Sequence, residues 1–507
     1  MLSRNKVIGD GSATDVHSRP AQVNRHDMSF RRDNKRVLLI DPTFKELAFG
    51  DRWEPSPRVA PPLGLMYLAT PLIKAGFDVE FMDLNVERFT VNQFAQKVRS
   101  RDFVGLTCYS ASLESVQKLI PIIRKANPQA YIMCGGPYCT LSEKHVAGAD
   151  LTAIGEAEEY IVEILQRLVQ EKSLEGIPGI IYRKNGELSR NKGIMQVKDL
   201  NVNRPASFEL AQDKEYGHFL GIRLRDITGM ITSRGCPFRC AYCTNMAKLA
   251  FRVRAVDNVI EEIQEYQYRG YKYLVCYDDN FLFNKRRAMQ IMDEIVKRKI
   301  RMKIIVLGRV DSADQVLYRK LKKAGVAIIL FGIESANQDV LDFYHKQVTV
   351  QQIREAVRMC NQMGMLSFGW FIVGAPMETR EHFENNLRLA NETHLDFAYY
   401  NVLRYDEGSK LWEEACQKGL IEENETIVWA NEKLSNFAYE ELRAIRAEMT
   451  RRFYLNPARL LRIIYKSRQY KLLLHLLKLI LRKNIAKVFT NLFEAKSAPA
   501  RIGHEAD

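Results

Sequence analysis

Apolar positions along this chain follow two successive rhythms. Between residues 35 and 200, short continuous apolar runs alternate with stretches that are apolar at every third or fourth position. The runs are RVLLID (36–41), DVEFMD (78–83), FVGLTCY (103–109), AYIMCGG (130–136) and LTAIGE (151–156). Between them lie helical patterns such as ASLESVQKLIPIIRKA (111–126). Runs without a polar face predict parallel strands covered on both sides by crossover helices. Five of them predict an α/β domain, doubly wound and flavodoxin-like, with its ligand at the carboxyl ends of the strands. Those ends read Asp41-Pro42-Thr43, Asp83-Leu84-Asn85, Tyr109-Ser110, Gly135-Gly136-Pro137 and Gly155-Glu156. IPGIIYRKNGEL, from Ile177, reads as a hairpin turning at Asn185-Gly186, followed by an irregular linker.

From 226 to 405 the βα rhythm resumes with a new period. Its strands are TGMITS (228–233), YLVCY (273–277), KIIVLG (303–308), AIILFG (327–332), LSFGWFIVG (366–374) and FAYYNVL (397–403). The stretch 257–270 predicts a helix capped by Asp257 and stopped by Gly270. Six such units predict a partial (β/α)6 barrel with its chemistry at the strand C-terminal ends. The expected organisation is a disordered tail (1–34), a Rossmann-like domain (35–200), a linker (201–225), a barrel (226–408), a helical basic region (409–495) and a polar tail (496–507).

Composition changes this picture in three places. Nine cysteines in 507 residues are too few for a disulfide scaffold and point to a reducing, cytoplasmic setting. The N-terminus has no apolar core of a secretory signal, and no run of 18 apolar residues occurs anywhere, so no membrane-spanning helix is expected. The net charge of +14 is concentrated: between Arg443 and Lys487 stand 13 Lys or Arg and one acid, Glu448. The remainder is close to neutral and makes no case for nucleic-acid binding. Within the basic segment, residues 456–488 leave two readings open. One is an amphipathic helix lying peripherally at the inner membrane surface, which would suit a lipid-like substrate. The other is a helical cap on the barrel with a solvated basic face.

The chemistry is concentrated in SRGCPFRCAYCTN (233–245), just beyond the first barrel strand. Cys236, Cys240 and Cys243 offer three thiolates, whereas four would close a structural zinc or iron–sulfur site. Three leave one iron of a cubane without a protein ligand. A structural zinc with a distant fourth ligand is the plainer alternative.

RGCPFRCAYC resembles the signature of radical S-adenosylmethionine (SAM) enzymes. The resemblance implies that Cys236, Cys240 and Cys243 hold a 4Fe–4S cluster whose open iron is chelated by SAM. Reductive cleavage of SAM would then give a 5′-deoxyadenosyl radical, with an electron donor such as flavodoxin or ferredoxin as partner. Tyr242 matches the position whose backbone meets the adenine. YDDNF (277–281) offers Asp278 and Asp279 to the SAM ammonium, and an acceptor-only carboxylate suits that group. GRVD (308–311) offers Arg309 to a carboxylate, FGIES (331–335) offers Glu334 and Ser335, and GWFIVGAPMET (369–379) places Gly374 near the adenine. The family's closing PGTPL is replaced here by DEGSKL (406–411).

An α/β domain directly before such a barrel resembles the cobalamin-binding radical SAM class. PPLGLMYLAT (61–70), CGGPYCT (134–140) and IGEAEEY (154–160) carry the match. The resemblance implies cobalamin contacts from Leu63, Gly64, Asn85, Ser110, Gly135, Gly136, Pro137 and Glu156. DLNVER (83–88) lacks the histidine of the usual cobalamin motif, so a base-off cofactor without an imidazole below cobalt is expected. The activity this class implies is methyl transfer to an unactivated carbon of a small or lipid-like molecule. Radical ring formation is the alternative on the same architecture, and a non-catalytic cobalamin or cluster sensor is the alternative outside enzymes.

Overall fold

The structure, a computed structural model, describes residues 35–43 and 58–467, apart from 203, 206, 220, 221, 224, 225 and 245–248. The expected tails, and the basic segment beyond 467, lie outside the described residues.

The first sheet contains β1 (Arg36–Asp41), β2 (Asp78–Asp83), β3 (Phe103–Thr107), β4 (Tyr131–Gly135), β5 (Leu151–Ala153), β6 (Ile180–Lys184) and β7 (Glu187–Arg190). Its order is β2-β1-β3-β4-β5-β6-β7. The first five strands are parallel, in the flavodoxin-like order. Alternation within single strands builds both faces: Val37 and Leu39 enter one core, Leu38 and Ile40 the other. The β6–β7 hairpin extends the sheet antiparallel from β5. Asn185 (φ 52°) and Gly186 (φ 85°) both take the left-handed conformation that a two-residue hairpin turn requires.

Beyond a short ribbon of β8 (His218–Phe219) and β9 (Ile222–Arg223), the second sheet begins with β10 (Ile227–Met230). β11 (Ser233–Arg234) pairs instead with β12 (Arg252–Val253) in an antiparallel ribbon. The sheet continues through β13 (Tyr273–Cys276), β14 (Lys303–Gly308), β15 (Val326–Glu334), β16 (Leu366–Val373) and β17 (Phe397–Val402). All six strands are parallel, in the order β10-β13-β14-β15-β16-β17. TGMITS, expected as one strand, is therefore broken after Met230. Asp278, fully buried, accepts hydrogen bonds from Thr232 N–H (2.6 Å), Thr232 Oγ1 (2.5 Å) and Ser233 Oγ (2.6 Å), and so takes these residues out of the sheet. The helix expected to be capped by Asp257 starts two residues earlier than that cap implies, at Val256, with Ala255 as cap. Asp257 sits in the first turn, where the helix dipole favours an acid.

After β17 the chain is not purely helical, as expected, but forms a ribbon of β18 (Arg404–Asp406) and β19 (Ile427–Trp429). The helix Tyr439–Tyr454 packs on β17, where Tyr454 Oη donates to Ala398 O at 3.0 Å. The helix Pro457–Ser467 caps the N-terminal end of the same strand, at Leu395 and Asp396. Arg459 is 2% exposed, lies 3.5 Å from the Phe453 ring centroid and donates to Leu395 O at 3.0 Å. Arg462 and Lys466 meet the fully buried Asp396 at 2.9 and 2.7 Å. Residues 457–467 thus act as a barrel cap. Among the described residues, no helix is long and apolar enough to cross a membrane.

Candidate active site

The cysteine loop springs from the β11–β12 ribbon, so both its ends are fixed by one short antiparallel pairing. Gly235 (φ 83°) makes the turn into Cys236, in a conformation L side chains rarely adopt. Cys243 N–H donates to Cys240 O at 3.0 Å, closing a tight turn between the last two thiols. Ala241, between them, donates its N–H to Tyr344 O (2.9 Å) and accepts from Leu411 N–H (3.0 Å). Cys236 and Cys240 are half-buried and Cys243 is exposed. Burial pushes the Cys236 thiol up, so a thiolate there needs a nearby cation or metal. Among the described residues, no three His, Cys, Asp or Glu side chains gather around the position of a single metal ion. In a cubane each thiolate takes its own iron, so that site uses sulfurs spread along a loop.

Arg309, at the end of β14, lies 3.7 Å from the Phe238 ring centroid and points one N–H at Cys240 Sγ (3.6 Å). The rest of its fork meets Asp311 (3.0 Å) and Lys346 O (2.6 Å). The carboxylate that the sequence pattern offered it is thus supplied within the chain, and its remaining charge faces sulfur. Glu334 (φ 63°) ends β15 in a strained left-handed conformation and is 5% exposed. Its Oε1 accepts from Tyr242 Oη (2.8 Å) and Lys346 Nζ (2.7 Å). The phenol between the second and third cysteines is therefore tethered to the C-terminal end of β15. Ser335 is buried and receives the Asn337 N–H and Nδ2 at 3.2 and 3.1 Å. Gly374 (φ 109°) donates its N–H to Glu378.

Of the two acids in YDDNF, Asp278 is spent on the ribbon. Burial raises its pKa against the donors from Ser233 and Thr232. Asp279 is exposed and accepts from Gly235 N–H, next to the first cysteine. Asn280, almost fully buried, has both amide atoms without a partner among the described residues. A buried amide left open in this way, beside an available carboxylate, fits a polar ligand such as the amino-acid end of SAM.

On the first sheet, Leu63 and Gly64 open the helix Leu63–Lys74, and a Cβ on Gly64 would meet nothing within 4 Å. Ser110 starts a single helical turn after β3. Gly135, Gly136 and Pro137 form the turn after β4, and a Cβ on Gly136 would stand 2.9 Å from Thr107 Oγ1. Only glycine lets this turn press on the end of β3, leaving a rim of small groups that a broad macrocycle can approach. Beside it, Asp41 is fully buried with Oδ1 unpartnered among the described residues, next to Arg58. This rim fits an amide-rich corrin. Two expected contacts face elsewhere. Asn85 donates to Pro42 O (2.9 Å) and Asp83 Oδ1 (3.1 Å) inside the domain. Glu156 points at the β11–β12 ribbon, where Arg252 grips it at 2.6 and 2.8 Å.

Thr232, Arg252, Asn280 and Lys346 were not singled out by the sequence. Asn280 lies within a quoted motif, but Lys346 lies in YHKQV, between two helices and outside any motif. What aims it inward is the left-handed backbone of its neighbours His345 (φ 47°) and Gln347 (φ 55°), which composition does not reveal.

A model of the radical SAM superfamily matches residues 230–390, and a model of the B12 binding domain matches residues 56–165. The chain is a cobalamin-binding radical SAM enzyme, and its cofactors are a 4Fe–4S cluster, SAM and cobalamin. Among its relatives, an uncharacterized methyltransferase from Pyrococcus horikoshii is 29% identical over 426 residues, covering 80% of this chain and 90% of its own. An anaerobic magnesium-protoporphyrin IX monomethyl ester cyclase from Rubrivivax gelatinosus is 23% identical over 478 residues, covering 90% and 84%. Among solved structures, the radical SAM methyltransferase TsrM from Kitasatospora setae, with cobalamin and cluster bound, has a TM-score of 0.61. It is 19% identical and the match covers 76% of this chain and 75% of that one, so it shares the fold.

Proposed function

We propose that the enzyme transfers a methyl group to an unactivated carbon of a substrate held between its two strand rims. The observation that carries this reading is the meeting of those rims. Glu156, after β5, joins the ribbon of the cysteine loop; Lys144 Nζ, beyond β4, meets Glu407 beyond β17 at 2.6 Å; and Gly408 lies against Leu141. A molecule lodged there is within reach of both cofactors. When bound, the cluster and SAM supply hydrogen-atom abstraction, and cobalamin supplies a methyl donor.

The chain's own residues then have separate tasks. Cys236, Cys240 and Cys243 would hold the cluster, and Arg309 places positive charge beside the Cys240 sulfur. Asp279 and Asn280 would take the ammonium and carboxylate end of SAM. Tyr242, locked by Glu334 and Lys346, keeps the loop from shifting between turnovers. Leu63, Gly64, Ser110 and Gly135–Pro137 would hold the corrin. A methyltransferase name on the Pyrococcus relative supports this reading.

A second reading, radical ring formation without methyl transfer, is supported by the cyclase relative that matches 90% of this chain. The two separate on one experiment. Reconstituted enzyme is given SAM with a trideuterated methyl group and a small-molecule extract of cells lacking the gene. Methyl transfer predicts a product carrying the deuterated methyl. A product that has lost hydrogens and carries no label would establish ring formation instead.

A further inference from the structure

We infer that Arg234 and Arg252, gripped by Glu156 and Glu158, are positioning residues that fix the distance between the cluster and the cobalamin. The two arginines sit opposite each other in the β11–β12 ribbon, one on the strand entering the cysteine loop and one on the strand leaving it. Both reach across to the loop that follows β5. Arg252 holds Glu156 through two parallel hydrogen bonds (2.6 and 2.8 Å) and also meets Val197 O. Arg234 approaches Glu156 Oε1 (3.3 Å), pairs with Glu158 Oε1 (2.8 Å) and lies 5.0 Å from the Tyr67 ring centroid. Glu156 accepts in addition from Val197 N–H at 2.8 Å. All four charged side chains are largely buried.

Each half of this clamp is rigid before the halves meet. On the cobalamin side, Gly155 (φ 103°) lies so close to Met195 that a Cβ would stand 2.1 Å from its carbonyl oxygen, and Glu156 N–H donates to that oxygen at 2.8 Å. On the barrel side, Asp278 holds Thr232 and Ser233, as described. Two stiff supports joined by a bidentate guanidinium–carboxylate pair define a geometry, because the planar fork matches the carboxylate in one orientation. Arg234 is two residues from Cys236, so a ribbon displaced from Glu156 carries the first cluster ligand with it. Burial alone would push the Glu156 carboxyl up, yet Arg252 and Arg234 hold it below the usual range, in keeping with a charged pair.

The test uses the full chain, reconstituted anaerobically with iron, sulfide and cobalamin, as wild type, Arg252→Met and Arg252→Lys. The readout is the microwave power that half-saturates the Co(II) resonance when the cluster is reduced, because a nearby paramagnet speeds relaxation steeply as the distance shrinks. Iron content, cobalamin content and reductive SAM cleavage to 5′-deoxyadenosine serve as controls for each site separately. The expected result is unchanged controls with a several-fold fall in half-saturation power for Arg252→Met and a partial fall for Arg252→Lys, whose point charge lacks the fork. Wild-type relaxation in both variants would overturn the inference. So would loss of iron or cobalamin in step with the relaxation change, since Arg252 would then merely hold the fold. The inference rests on the cofactor assignment, whose failure would show separately as a wild type that takes up neither cofactor.

Discussion

Lys346 is the clearest case of a side chain whose environment sets its value. Its ammonium and the Glu334 carboxylate are both nearly buried, 2.7 Å apart, with Tyr242 Oη donating to the same oxygen. Removing one partner of such a pair leaves an uncompensated buried charge and costs about 3–5 kcal/mol. Lys346→Met should therefore destabilise the protein by about that amount, while the double variant with Glu334→Gln should recover much of the loss. Denaturant unfolding of both proteins measures this. Glu378 makes a second prediction. Burial, against donors from Ala375 and Gly374, lifts its pKa to about 8. A carboxyl raised above its unfolded value of about 4.3 holds a proton that the unfolded chain lacks between those two values, so stability falls as pH rises through that window. Between pH 6 and 8 the wild type should lose up to about 1.4 kcal/mol per pH unit more than Glu378→Gln. Melting curves across that range check the slope. Glu156, Asp278 and Glu334 were legible as candidates because motif spacing carries residue type. Their partners were not, because Thr232, Arg252 and Lys346 are brought in by a strand break, a ribbon and two left-handed residues.

At the scale of elements, the apolar runs placed the strands closely. β1, β2 and β14 have the same bounds as their runs; in β1 and β14 almost every position after the first is buried, which leaves little to blur the ends. The β11–β12 ribbon and the β18–β19 ribbon were missed. Each is two or three residues long, too short for periodicity to register, and each forms through partners remote in sequence. The helix Pro457–Ser467 was legible as basic and apolar, and a cap was one of its two readings; the solvated basic face expected of that cap was wrong, because Arg462 and Lys466 are spent on one buried acid, Asp396, and on nearby carbonyls. Truncation after Leu455 should strip Asp396 of Arg462 and Lys466 and uncover the buried Ile463. A buried acid losing its partners costs about 3–5 kcal/mol, and the loss should appear as a clearly lowered melting temperature. An unchanged melting temperature would mean that the barrel closes without this helix.

Over the whole molecule, two parallel sheets place their C-terminal rims against one another, and the first sheet's order, the barrel's strand order and the three cofactors were all readable from sequence. How the halves meet was not, because Glu156 looks like a ligand residue until Arg252 is seen holding it. The cap also bears on the order in which the protein is made. Asp396 sits at the start of the last barrel strand, yet its partner Arg462 is translated 66 residues later. A ribosome adding about 5–20 residues per second leaves that strand without its counter-charges for several seconds. Throughout that interval Asp396 lacks the two cations that meet it in the finished protein, and the N-terminal end of β17 lacks its cover. The cobalamin-binding sheet, complete by then, contains none of the missing residues. The half made last is therefore also the half whose folding has to wait for the end of synthesis.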